Sequence, residues 1–129
     1  MKILLDTHTF LWFISGDTSL SKYGRDLIQD LSNERLLSAA SLWEMSIKAS
    51  IGKLKLNISF SEIFTEHVLG NSIRLMHILP EHLDNLRNLP FYHKDPFYRL
   101  IIAQGQNEKI PIVSKDEIFS KYDVSCLWN

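Results

Sequence analysis

The sequence predicts an α/β fold, a single-domain three-layer α/β/α sandwich with a mainly parallel central sheet. Two observations carry this. Short apolar runs of strand character alternate with longer segments of helical periodicity, the pattern of a parallel sheet covered by helices. The 129 residues suit one domain, 1–129, and can bury a sizeable core without disulfide or metal support.

Lys2–Leu5 is the first strand, four residues ending on Asp6. Thr9–Ile14 then reads as a short apolar helix stopped by Ser15-Gly16. Tyr23, Leu27, Ile28 and Leu31 recur at helical spacing, so Ser21–Leu31 is an amphipathic helix. Arg35–Ser38 is the second strand. Ser41, with Glu44 three residues on, matches a capping box and opens a helix to about Ile51 that Gly52 closes. Lys53–Ile58 reads as a short extended piece. Ser59 or Ser61 starts a helix ending near Gly70, and Ile73–Leu79 is a strand. Pro80 to Asn88 is a helix with Pro in its first turn, and 89–94 is a loop. Asp95-Pro96 opens the helix Phe97–Asn107, because Asp caps well and Pro suits the first helical position. Pro111–Val113 is a strand, Glu117–Lys121 a helical turn and Val124–Leu127 the last strand.

Hydrophobic residues make up 45% of the chain and charged residues 22%, a globular rather than disordered balance. Fourteen basic residues against 15 acidic give a formal charge of -1, which excludes a protein held to nucleic acid by bulk charge alone. Cys126 is the single cysteine, so no internal disulfide or multi-cysteine zinc site is available. No stretch is long and apolar enough for a membrane span, and no signal peptide is visible, so a cytoplasmic setting without membrane contact is expected. Nucleotide-loop motifs and zinc-type histidine spacing are absent.

Acidic residues fall repeatedly where a strand gives way to a helix. Asp6 follows the first strand, Glu44 the second and Asp116 the strand at 111–113, while Asp95 precedes a strongly apolar helix. The carboxyl ends of parallel strands share one rim, where ligands bind in open α/β sheets. Each acid has a local role open to it: a cap for Asp6, Asp95 and Asp116, the capping box for Glu44. As a set they suit a hard cation, since capping alone is served equally by Ser, Thr or Asn. Carboxylates crowded on one rim repel unless a cation lies between them, and Mg²⁺ often takes one or two carboxylates plus substrate phosphates. The residues therefore point to metal-dependent chemistry on phosphate esters. Trp12, Phe13, Trp43 and Phe97 read as core aromatics, and His8 and His93 as polar residues flanking the site.

In order along the chain, the pieces Leu4–Trp12, Ser38–Glu44, Lys48 with Gly52-Lys53-Leu54, His93–Phe97, Arg99–Gln104 and Val113–Asp116 resemble a PIN domain, in particular the VapC-like toxins of bacterial toxin–antitoxin pairs. The resemblance spans almost the whole chain. It implies a ribonuclease dependent on Mg²⁺ or Mn²⁺, an RNA substrate, a cognate antitoxin that covers the site, and a homodimer. The helices Ser21–Leu31 and Ser59–Leu69 are candidates for those contacts. Carried over by motif, Asp6, Glu44 and Asp116 are catalytic and metal-binding carboxylates, with Thr7 and Ser114 as supporting hydroxyls. One departure stands out. The family's usual stretch is Asp-Pro-Phe-Asp-Arg, and here it is Asp95-Pro96-Phe97-Tyr98-Arg99. Tyr98 takes the place of a usual site carboxylate, and a phenol of ordinary pKa about 10 is neutral near pH 7. Either Asp95 joins the catalytic and metal set, or the chain is a weakened PIN fold that binds RNA or protein. Lys48, Lys94, Arg99 and Lys115 are expected to touch RNA phosphates, which positions a strand without reading its sequence. A phosphoacceptor receiver domain fits poorly, because Asp6 lacks an acidic neighbour and no central strand ends on an Asp.

Overall fold

A computed structural model describes residues 1–129. Five parallel strands form one sheet in the order β3-β2-β1-β4-β5: β1 (Lys2–Leu5), β2 (Glu34–Ser38), β3 (Arg74–Met76), β4 (Ile112–Val113) and β5 (Cys126–Leu127). Every carboxyl end therefore lies on one rim. A flavodoxin-like receiver domain has the order 2-1-3-4-5, so the topology sets that alternative aside.

Strand alternation divides the core into two layers. Ile3 and Leu5 of β1, with Leu37 and Val113, pack on one face against Phe10, Ile28, Met45 and Ile63. Leu4, with Leu36 and Ile112, packs on the other face against Ile101, Ile102 and Phe119. The first layer is built by α1 (Thr7–Ser15), α2 (Lys22–Gln29), α3 (Ala39–Ser50) and α4 (Phe60–Glu62). The second is built by α5 (Pro80–Asn88) and α6 (Pro96–Glu108). Burial of both sheet faces explains why the strands read as unbroken apolar runs.

Helix starts differ from the sequence reading for identifiable reasons. α1 begins at Thr7, one residue after the strand, because Asp6 accepts a hydrogen bond from the Thr9 N–H and caps the helix directly. α3 begins at Ala39 with Ser38 as its cap, accepting from the Ala40 N–H, so the capping box predicted at Ser41 does not form. Ser41 and Glu44 are released to face inward. Gly52, just past the end of α3, adopts φ +76°, as a helix-terminating glycine does. α4 is capped by Ser59 and runs into a π-helical stretch, Ile63–Val68, rather than a continuous α-helix. Residues 53–58 form no strand, and β3 covers only Arg74–Met76 of the predicted Ile73–Leu79. No helix is long and apolar enough to cross a membrane.

Candidate active site

Asp6 leaves β1 at the sheet's carboxyl rim and is almost wholly buried. One of its oxygens accepts the Thr9 N–H at 2.8 Å. The Ser114 hydroxyl at the end of β4 bonds to its carboxylate and also accepts the Asp116 N–H at 3.0 Å, tying two strand ends together. Burial nevertheless pushes the Asp6 carboxyl above its ordinary range, against the lowering effect of Ser114, Thr9 and His8.

Glu44 lies beside it on α3, with no exposed surface. Its two oxygens are both engaged. Oε1 accepts the Thr7 hydroxyl at 2.7 Å, and Oε2 pairs with the Lys48 ammonium at 2.5 Å. Thr7 Oγ1 also lies 2.9 Å from the Ser41 hydroxyl, so the face freed by the shifted helix start builds this contact.

Tyr98 stands in the first turn of α6, and Asp95 caps that helix by accepting from the Phe97 and Tyr98 N–H groups. The phenol is held well above its ordinary value, first by burial and then by the charges of Asp6, Glu44, Asp116 and Asp95. The Tyr98 hydroxyl and His8 Nδ1 are hydrogen-bonded at 2.5 Å. His93 packs against the Tyr98 ring, with the centroids 4.9 Å apart. Its Nδ1 accepts the Asp95 N–H, which leaves Nε2 facing Asp116 Oδ2 at 3.5 Å. Asp116 itself caps the turn at Glu117–Lys121 through the Ile118 N–H.

Asp6, His8, Trp12, Tyr98, Lys115 and Asp116 line one open cleft of about 420 Å³. Glu44 does not line it. A separate hollow on the far side of His8 includes Thr7, Lys48 and Lys53. No three His, Cys, Asp or Glu side chains are grouped to hold a metal ion. The donor set suits a cation that keeps most of its water, with Asp6 and Asp116 as the carboxylates available in the cleft.

Three sequence expectations change here. Arg99 is buried, and its guanidinium donates to the carbonyls of Pro90, Leu86 and Leu89 while lying 3.7 Å over the Phe91 ring. It secures the loop before α6 and is not free to meet phosphate. Lys48 is bound to Glu44, whereas Lys94 and Lys115 are exposed. Trp43, read as a core aromatic, is exposed, whereas Trp12 packs on the core as expected and also lines the cleft. The available signal was its position four residues after His8 on the helix that Asp6 caps.

Solved structures share this architecture. The VapBC2 complex from Rickettsia felis, bound to a DNA fragment from their promoter, matches at TM-score 0.72 and 13% identity over 100% of both chains. FitAcB from Neisseria gonorrhoeae matches at 0.70 and 15% identity, covering 98% of this chain and 96% of that one. FitAB bound to an IR36 DNA fragment matches at 0.67 and 18%, covering 97% and 93%. Comparison with curated proteins finds no match. The PIN domain family model matches residues 3–125, which takes in β2, β3 and β4 whole, most of β1 and every acidic residue of the cleft, and the chain belongs to the PIN domain family.

Proposed function

We propose that this protein is a nuclease that hydrolyses RNA phosphodiester bonds with the help of Mg²⁺ or Mn²⁺, as the toxin of a toxin–antitoxin pair. The supporting observation is the pair of carboxylates, Asp6 and Asp116, that line one cleft at the carboxyl rim of a PIN-family sheet. Such a concentration of negative charge, with Asp6 destabilised by burial, favours a cation in the cleft. Asp6 and Asp116 would hold it directly. When bound, the ion supplies an activated water and offsets charge on the phosphoryl oxygens. Ser114 orients Asp6, and Thr7 with Lys48 fixes Glu44. Asp95 shapes the site by capping α6 and setting the Tyr98 backbone. Lys94 and Lys115 are exposed, Lys115 at the cleft itself, and both would meet the RNA backbone.

The toxin assignment leans on family membership and on fold neighbours that are VapBC and FitAB complexes. A cognate antitoxin, a homodimer and a cytoplasmic setting belong to the same proposal. Purified protein should cleave a mixed cellular RNA pool with Mg²⁺ or Mn²⁺ and not with chelator. Asp6→Asn should lose at least about a hundredfold in rate while keeping its circular dichroism spectrum. Cleavage by Asp6→Asn at the wild-type rate, with contaminating nuclease excluded, sinks the mechanism.

A second reading has its own observation. A neutral phenol fills the place of a usual carboxylate, and no three-ligand metal group is present. A weakened PIN fold that binds RNA or protein follows from this. Tyr98→Asp separates the two. A large gain in cleavage marks the native site as attenuated, whereas an active native enzyme unchanged by the substitution shows that Tyr98 is tolerated.

A further inference from the structure

The cleft has two chemically different walls. Asp6 and Asp116 form the anionic one. The other is a row of rings, Trp12, His8 and Tyr98. The His8 and Trp12 ring centroids lie 5.7 Å apart at an interplanar angle of 30°, and those of His8 and Tyr98 6.1 Å apart at 29°. His8 and Trp12 project from the same face of α1, four residues apart. Nothing in the proposed hydrolysis uses Trp12.

We propose that this row is a subsite for one unpaired nucleobase, which stacks on the Trp12–His8 wall beside the scissile phosphate. The inference rests on reading the cleft as a nuclease site, and it adds where a base of the substrate would rest. Unpaired bases stack on aromatic side chains, and such stacking is tolerant of base identity. The wall is set before any ligand arrives. Tyr98 holds the His8 ring through its hydroxyl, and Trp12 packs on the core with Trp128 6.2 Å away, tilted by 58°. A preorganised wall loses little side-chain freedom on binding. At about 420 Å³ the cleft has the size of a small-molecule pocket, roughly one nucleotide. Lys115 lies at the same cleft to meet the phosphate that the carboxylates alone would repel.

Trp43 provides an internal control. It is 56% exposed, packs edge-on against Phe97 and lies outside the cleft. The three indole N–H signals can be assigned by single Trp→Phe variants and followed by NMR with chelator present. Adenosine is the probe and ribose the blank. Adenosine should move the Trp12 signal saturably and well beyond that of Trp43, and ribose should move neither. His8→Ala, an exposed position, should weaken the adenosine response about tenfold. A Trp12 signal that moves no more than Trp43, or a response indifferent to His8→Ala, overturns the subsite. The readout involves no cleavage. Cleavage without the Trp12 response therefore removes only the subsite, and the Trp12 response without cleavage removes only the nuclease reading.

Discussion

Asp6 and Glu44 are two buried carboxylates in one site, and the protein treats them oppositely. Glu44 has a cation of its own, the Lys48 ammonium one helical turn away, and a hydroxyl from Thr7. Asp6 has only hydrogen bonds, from Thr9 and Ser114, and its carboxyl is pushed upward by burial. The difference separates a carboxylate paired within the fold from one whose charged form burial disfavours. A buried carboxylate without a cation is costly to ionise, so its place in the lining of a cleft points to a role beyond packing.

The sharpest way to break the comparison is to make Glu44 resemble Asp6. Lys48→Met removes the ammonium and leaves Glu44 buried. Breaking a wholly enclosed pair costs about 3–5 kcal/mol. Lys48 is about a third exposed, so a loss of about 2–3 kcal/mol in urea unfolding is expected. The double variant Lys48→Met with Glu44→Gln should recover most of it, because the orphaned charge is gone. If the single variant unfolds at the wild-type midpoint, the pair is a surface ion pair in disguise.

Asp6→Asn tests the other half with the opposite sign. Asn still caps α1, so the helix start survives. The folded carboxyl titrates above its ordinary 3.8, so the folded state binds more protons than the unfolded one between 3.8 and the raised value. Stability therefore falls as pH rises through that window and stays reduced above it. At pH 7 the substitution should stabilise by about 0.5–2 kcal/mol, and the gain should vanish below the ordinary value. Paired thermal melts at pH 7 and pH 3.5 check this. A variant less stable than wild type at pH 7 means that its hydrogen bonds outweigh its burial.

This contrast was only half legible in the sequence. The rim was, because Leu5-Asp6 and Val113-Ser114 each end a strand in a sheet whose parallel character follows from alternation with helices. Lys48 at four residues from Glu44 was legible as a pair, though its strength was not, since a helix-surface pair and a buried one share the same spacing. The capping box at Ser41 misled because Ser38 competes for the same helix end, and only the strand's length decides between them. Arg99 looked like a phosphate contact because a sequence does not show that the chain from Leu86 to Pro90 turns its carbonyls toward one guanidinium. Tyr98 was visible as a substitution, whereas its bond to His8, 90 residues away, required the fold.

Tyr98→Phe is a smaller perturbation of the same contrast. It deletes the hydroxyl that bonds His8 and frees that ring, which is exposed and can turn to water. A net loss of about 0.5–1.5 kcal/mol is expected, the worth of one ordinary hydrogen bond. A stability gain instead would show that the phenol sits under strain among the carboxylates.

The smallest effect on the fold belongs to Lys115, the lysine on the Asp6 side of the comparison. Like Lys48 it stands near a site carboxylate, since it shares the cleft with Asp6 and Asp116. Unlike Lys48 it is exposed, so its ammonium is already solvated and replaces no buried contact. Surface substitutions away from packed features stay within about 0.5 kcal/mol, and Lys115→Gln should do the same in urea unfolding. Its effect should fall on the ligand. Each phosphate contact made by a lysine releases counterions, so losing one lowers the salt slope for single-stranded RNA by about 0.7. Titrating RNA binding against salt in wild type and Lys115→Gln reads that slope. An unchanged slope removes Lys115 from the RNA surface, and a large stability loss places it with Lys48 as part of the fold. Lys48→Met, which strikes the fold first, and Lys115→Gln, which strikes only binding, then mark where the protein's own cations end and the ligand's begin.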